Sequence, residues 1–176
     1  LPFDKGYNDG AGNPPNPNGI MTDYLWKEIL TKDKLSRIIE NYAQVVVEED
    51  PETKKKSVKQ IFPRYHQLDV VEKLLADVKE NGIGKRYLIQ HSAGSGKSNS
   101  ISWLAHQLIG LEENGHPMLD SVLVVTDRRI LDKQIRDNIK QFMQVANTVA
   151  WAEHSGDLRK AIQDGKRIII STIEKF

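Results

Sequence analysis

The sequence predicts an α/β fold built on a parallel sheet with helices on both faces, and three observations carry that expectation. From residue 62 onward, short apolar runs alternate with longer stretches of helical period. The runs Val122–Val125 and Ile168–Ile170 are apolar throughout, as in strands covered on both sides. A further run, Arg86–Gln90, leads into a glycine-rich loop, HSAGSGKS at His91–Ser98, which opens the next helical stretch.

The elements follow in order. Residues 5–19, KGYNDGAGNPPNPNG, are rich in Gly, Asn and Pro and read as a loop or linker. Tyr24, Leu25, Glu28 and Ile29 have short-helix spacing. Leu35, Ile38, Ile39 and Tyr42 form the stripe of an amphipathic helix that Asp33 is placed to cap. Val45–Val47 and Val58–Phe62 flank a polar turn at Pro51, so a hairpin is expected, with Lys54–Lys56 at its solvated tip. Residues 1–60 thus form a helical and hairpin extension, and residues 61–176 form the α/β part.

There, Pro63 suits the first turn of a helix. Tyr65, Leu68, Val71, Leu74, Leu75 and Val78 supply its stripe, and Gly82 its stop. After the strand and the glycine loop, Ile101, Leu104, Ala105 and Leu108 mark a second helix. Ile130, Leu131, Ile135, Ile139 and Phe142 mark a third. A weaker strand near Thr148–Trp151, a short helix at Leu158–Ile162 and the strand Ile168–Ile170 complete the pattern. No internal repeat is visible.

Composition narrows the function classes. With 176 residues there is room for about one domain plus an extension. The absence of cysteine excludes a disulfide framework and thiolate zinc sites. The five histidines have no metal spacing: His66, His106, His116 and His154 read as surface or packing residues, and His91 as a shaper of its loop. No apolar run is long enough to span a membrane, and LPFDKGYNDG lacks the features of a signal peptide. A net charge of +1 gives no global field for nucleic acid, so any DNA contact must come from a local patch. Leu1 in the place of Met, and Phe176 straight after an apolar run, read as cut ends.

The glycine loop carries the chemistry. The strict phosphate-loop pattern is G-x-x-x-x-G-K-[ST]; here Gly96, Lys97 and Ser98 fill its last positions and His91 replaces the first glycine. Gly94 and Gly96 can take backbone angles closed to other residues. The amides of Ser92, Ala93, Gly94, Ser95, Gly96 and Asn99 can then join the helix N-terminus in cradling an anion. Lys97 is placed to neutralise β- and γ-phosphates, and Ser98 to ligate Mg²⁺ through its hydroxyl. The alternative is a plain Gly/Ser turn with an exposed lysine. The strand before it and the helix after it favour the phosphate loop.

YLIQHSAGSGKSNSISWLAHQL resembles motif I of superfamily 2 helicases, in the form found in motor subunits of type I restriction enzymes. FPRYHQLDVVEKLL (62–75) resembles the segment preceding it, VLVVTDRRILDKQI (122–135) motif Ia, and IIISTIEKF (168–176) motif Ib. GAGNPPNPNG with TDYLWKEIL resembles the stretch between that family's nuclease and motor domains. The resemblance implies a RecA-like fold, here a truncated first motor domain, in a bacterial or archaeal cytoplasmic enzyme. It implies ATP and Mg²⁺ as cofactors, and as partners duplex DNA and the specificity and methylation subunits.

It also gives Gln67 the adenine, since a side-chain amide both donates and accepts. It gives Thr126, Arg128, Arg129, Ser171 and Thr172 to the DNA backbone, where hydroxyls and guanidiniums position a duplex without reading it. For Thr126, Asp127 and the two arginines, a capped helix start with solvated arginines is the competing reading. The family's acidic motif II and its nuclease carboxylates have no counterpart here, so the chain is expected to be a fragment that binds nucleotide without useful turnover. Two other readings remain: another superfamily 2 helicase or remodeller, and, for residues 1–60, a docking module for the other subunits.

Overall fold

The computed structural model describes residues 12–49, 53–127, 148–152 and 154–175. The helix expected over residues 130–142, Arg128, Arg129 and the Pro51 turn lie outside them. The chain divides into two compact units, one ending at Asp69 and the other beginning at Val70.

In the first unit a π-type turn, Leu25–Ile29, closes with the Leu30 amide donating to Leu25 O at 2.7 Å. Helix α1 (Lys32–Asn41) starts after the extended Thr31 with no side-chain cap; Asp33 instead sits in the first turn, at the positive end of the helix dipole. Ile38 and Tyr42 of its apolar stripe are buried, but Leu35 and Ile39 are open. Strands β1 (Gln44–Glu49) and β2 (Lys56–Ile61) pair antiparallel, from Gln44 opposite Ile61 to Glu49 opposite Lys56. Alternation sends Val46 inward and leaves Val45, Val47 and Val58 exposed. Tyr24 and Tyr65 meet edge to face, with ring centroids 5.7 Å apart.

Helix α2 (Tyr65–Asn81) crosses the boundary between the units. Arg64 O accepts the amides of Gln67 and Leu68, so buried Pro63 precedes the cap rather than filling the first turn. Leu68, Val71, Leu74 and Val78 are buried as the stripe predicts. Gly82 ends the helix at φ 75°, its amide bonded to Val78 O.

The second unit contains α3 (Lys97–Leu108), a small hairpin of β3 (Glu112–Glu113) and β4 (His116–Pro117), then β5 (Val122–Thr126), β6 (Val149–Ala152), α4 (Ser155–Gln163) and β7 (Ile168–Thr172). The sheet order is β5-β7-β6, all parallel. Central β7 is buried at every position. Ile168 and Ile170 share a core with Val124, Val149 and Ala105 of α3, while α4 lies against β6 and β7. In β5, Val124 and Thr126 are buried against the described part of the unit, whereas Leu123 and Val125 point to the other side, where the helix expected over residues 130–142 lies outside the described residues. Arg167 ties this unit together from β7's entrance, its guanidinium donating to Ile109 O at the end of α3 and to Leu119 O.

Arg86–Gln90 also departs from expectation. The segment is extended but joins no ladder among the described residues, and Leu88 is 93% exposed. An apolar run supplies strand propensity, but a strand forms only where a neighbour's backbone completes its hydrogen bonds. Among the described residues only β7 is paired on both sides, and neither β5 nor β6 takes Arg86–Gln90 as a neighbour.

Candidate phosphate-binding site

The loop His91–Gly96 connects the extended limb to α3. Gly94 has φ 73° and Gly96 has φ 81°, ψ 32°, both left-handed, as the motif predicts. Gly96 is the N-cap of α3, without a side-chain cap. Its carbonyl accepts the amides of Asn99 at 3.0 Å and Ser100 at 3.3 Å. The amides of Lys97 and Ser98 therefore open the helix with no intrahelical carbonyl to bond, which is the arrangement that suits an anion.

Lys97 folds back over the loop. Its Nζ donates to Ser92 O at 2.8 Å and to His91 O at 3.2 Å. A cation at the positive end of a helix dipole is electrostatically misplaced unless anionic or carbonyl oxygens offset it. The loop's own carbonyls do so in the free chain. Ser92, Ala93 and Gly94 are exposed at the surface, Ser95 is buried, and Ser98 and Asn99 are half-buried on the first turn of the helix. Ser102 Oγ donates to Ser98 O at 2.9 Å, fastening the first turn to the buried Trp103 region.

Beside Lys97 lies a cavity of about 220 Å³, lined by Val70, Val71, Leu74, Ile89, Ile101 and Leu104, with His91 and Ser100. Its apolar lining does not suit phosphates. An anion would find its donors at the exposed amides of the glycine loop rather than in this cavity. The donors of the loop fit a polyphosphate. Among the described residues no cluster of His, Asp or Glu is placed to hold a metal by itself. The Ser98 hydroxyl, half-buried on the first turn of α3, is of the chemistry that could ligate a nucleotide-borne Mg²⁺.

These residues, with the motif order of the chain, point to a nucleotide-driven ATPase. A family model described as SWI2/SNF2 ATPase matches residues 66–176. The chain belongs to this family. No curated protein matches it. Membership of the SWI2/SNF2 ATPases makes it part of an ATP-hydrolysing, helicase-like enzyme family with an α/β core. The match begins next to Gln67 and takes in the whole second unit.

The remaining sequence-selected residues fall as follows. Gln67 is 3% exposed, and its Oε1 accepts the Arg64 amide at 2.8 Å, so the fold already uses the side chain to cap α2. Thr126 and Thr172 are register partners at the carboxyl ends of β5 and β7, the edge where ligands of parallel sheets gather. Both are buried, and neither hydroxyl has a partner among the described residues. Ser171 is 1% exposed and its hydroxyl donates to Thr172 O. The sequence reading passed over Asp77, Lys85 and Tyr87, which the structure joins ahead of the loop. No helix among the described residues is long and apolar enough to cross a membrane.

Proposed function

We propose that this SWI2/SNF2 ATPase chain binds the triphosphate of ATP through His91–Asn99 and belongs to the motor subunit of a type I restriction enzyme. The observation that carries the nucleotide part is the loop itself: two left-handed glycines ahead of the α3 N-terminus, with Lys97 turned back over them. Amides of Gly94 to Ser98 would hold the β-phosphate, Lys97 would exchange its two carbonyls for phosphate oxygens, and the Ser98 hydroxyl would ligate Mg²⁺. The metal's contribution when bound is to neutralise charge between the β- and γ-phosphates. The chain's own residues bind and orient. Recognition centred on phosphates predicts that calorimetric titration finds ATP and ADP bound with Mg²⁺ and AMP bound at least tenfold more weakly. Equal affinity for all three would refute it.

The restriction-enzyme part rests on sequence. FPRYHQ before the loop and GAGNPPNPNG near residue 15 resemble that subfamily more than SWI2/SNF2 ATPases at large. In this reading Thr126, Arg128, Arg129, Ser171 and Thr172 contact the duplex backbone, Gln67 meets the adenine, and residues 1–60 dock on the methylation and specificity subunits. Co-purification with those subunits, dependent on residues 1–60, is the expected result. The family match also suits a remodeller-type translocase, which would retain duplex DNA but ignore the restriction subunits.

A further inference from the structure

Asp77 sits on the second-unit stretch of α2 and collects three donors on one carboxylate. Tyr87 Oη donates to Oδ2 at 2.5 Å; Lys85 Nζ and Asn81 Nδ2 both donate to Oδ1 at 2.9 Å. Asn81 lies one turn along the same helix. Lys85 and Tyr87 lie on the limb beyond Gly82 and Gly84, whose φ values of 75° and 108° let the chain turn back along α2. Two residues after Tyr87, Ile89 lines the apolar cavity with Val70, Val71 and Leu74 of α2. Two residues further, His91 O receives Lys97.

Among the described residues the limb has no ladder bonds, and Lys85 and Tyr87 fasten its start to α2 through Asp77. The Tyr87 phenol, followed by the Lys85 ammonium, holds the Asp77 carboxyl below its ordinary range, and the carboxylate in turn raises the Tyr87 phenol. Both groups are therefore in the forms that the hydrogen bond requires across neutral pH.

We propose that Asp77 is a positioning residue for the phosphate loop: by holding Tyr87 and Lys85 it fixes the limb that presents His91 and Ser92 to Lys97 and to a bound triphosphate. The inference rests on the reading of that loop as a triphosphate site. Its physical content is preorganisation. A limb already ordered in the free chain loses less conformational freedom when nucleotide binds.

The test uses the 176-residue chain, Asp77→Asn, Tyr87→Phe and Asp77→Glu, with a fluorescent ATP analogue and Mg²⁺ as probe. Amide hydrogen exchange is followed in parallel. Asp77→Asn and Tyr87→Phe are expected to speed exchange over residues 83–92, leave residues 168–172 unchanged, and weaken nucleotide binding about three- to tenfold. Asp77→Glu is expected to recover part of both effects. Faster exchange with unaltered nucleotide affinity would overturn the positioning role, as would unaltered exchange. Failure of the wild type to bind nucleotide would overturn the triphosphate reading and this inference with it. Binding by the wild type and both variants alike would overturn only this inference.

Discussion

Lys97→Ala separates function from stability at one position. In the free chain the ammonium is exposed and bonded to two carbonyls, at 2.8 and 3.2 Å. A charge-assisted hydrogen bond contributes about 1.5–3 kcal/mol. The triphosphate must take the lysine from those carbonyls, so the gain is the difference between a charge–charge and a charge–dipole contact. That places the loss in the lower half of the range, about ten- to fortyfold in affinity. The fold should respond in the opposite direction. Lys97 is the first residue of α3, where a cation opposes the dipole, and alanine is a better helix former. The variant is therefore expected to keep or slightly raise its melting temperature while binding weakens. Titration of a fluorescent ATP analogue with Mg²⁺, beside a thermal melt, reads both. Unchanged affinity in a folded variant would refute the assignment of Lys97 to the phosphates. A lowered melting temperature would show instead that its bonds to His91 O and Ser92 O are structural.

Other positions give independent checks. Gly96→Ala forces a side chain into φ 81°, at a cost of about 1–2 kcal/mol, and should weaken nucleotide binding; Gly94→Ala should act through φ 73° alone, because its added Cβ meets nothing within 4 Å. Ile170→Ala, at a side chain 1% exposed in the central strand, should lower the stability read from the urea midpoint by about 2–5 kcal/mol with an unchanged slope. Burial lowers the His106 pKa below its ordinary value of 6.5. The unfolded chain then binds the proton first, so stability is complete above pH 6.5 and falls as pH drops towards the folded-state value. Urea midpoints at pH 7.5 and 5.5 should converge in His106→Asn if this histidine is responsible.

What the sequence made legible was whatever chemistry is local. The conformation of the glycine loop was readable because its glycines and helix start lie within eight residues, His91–Ser98, and each has a fixed conformational requirement. The α2 stripe was readable because a 3.6-residue period needs no knowledge of the partner surface. The small β3–β4 hairpin was not read from the sequence, although Asn114 and Gly115, with φ 53° and 78°, are the pair that a two-residue hairpin turn favours.

The misses share a different cause. Arg86–Gln90 has the composition of a buried strand, yet pairing is a property of two segments, and its neighbours in sequence do not reveal its neighbours in space. The same limit hid Asp77 and Tyr87, which are ten residues apart and joined only by the turn through Gly82 and Gly84. Strand identity follows from side chains, whereas strand membership follows from available backbone partners. The limb before the phosphate loop is the place in this chain where those two requirements part, and the Asp77 carboxylate stands where ladder bonds would otherwise hold it.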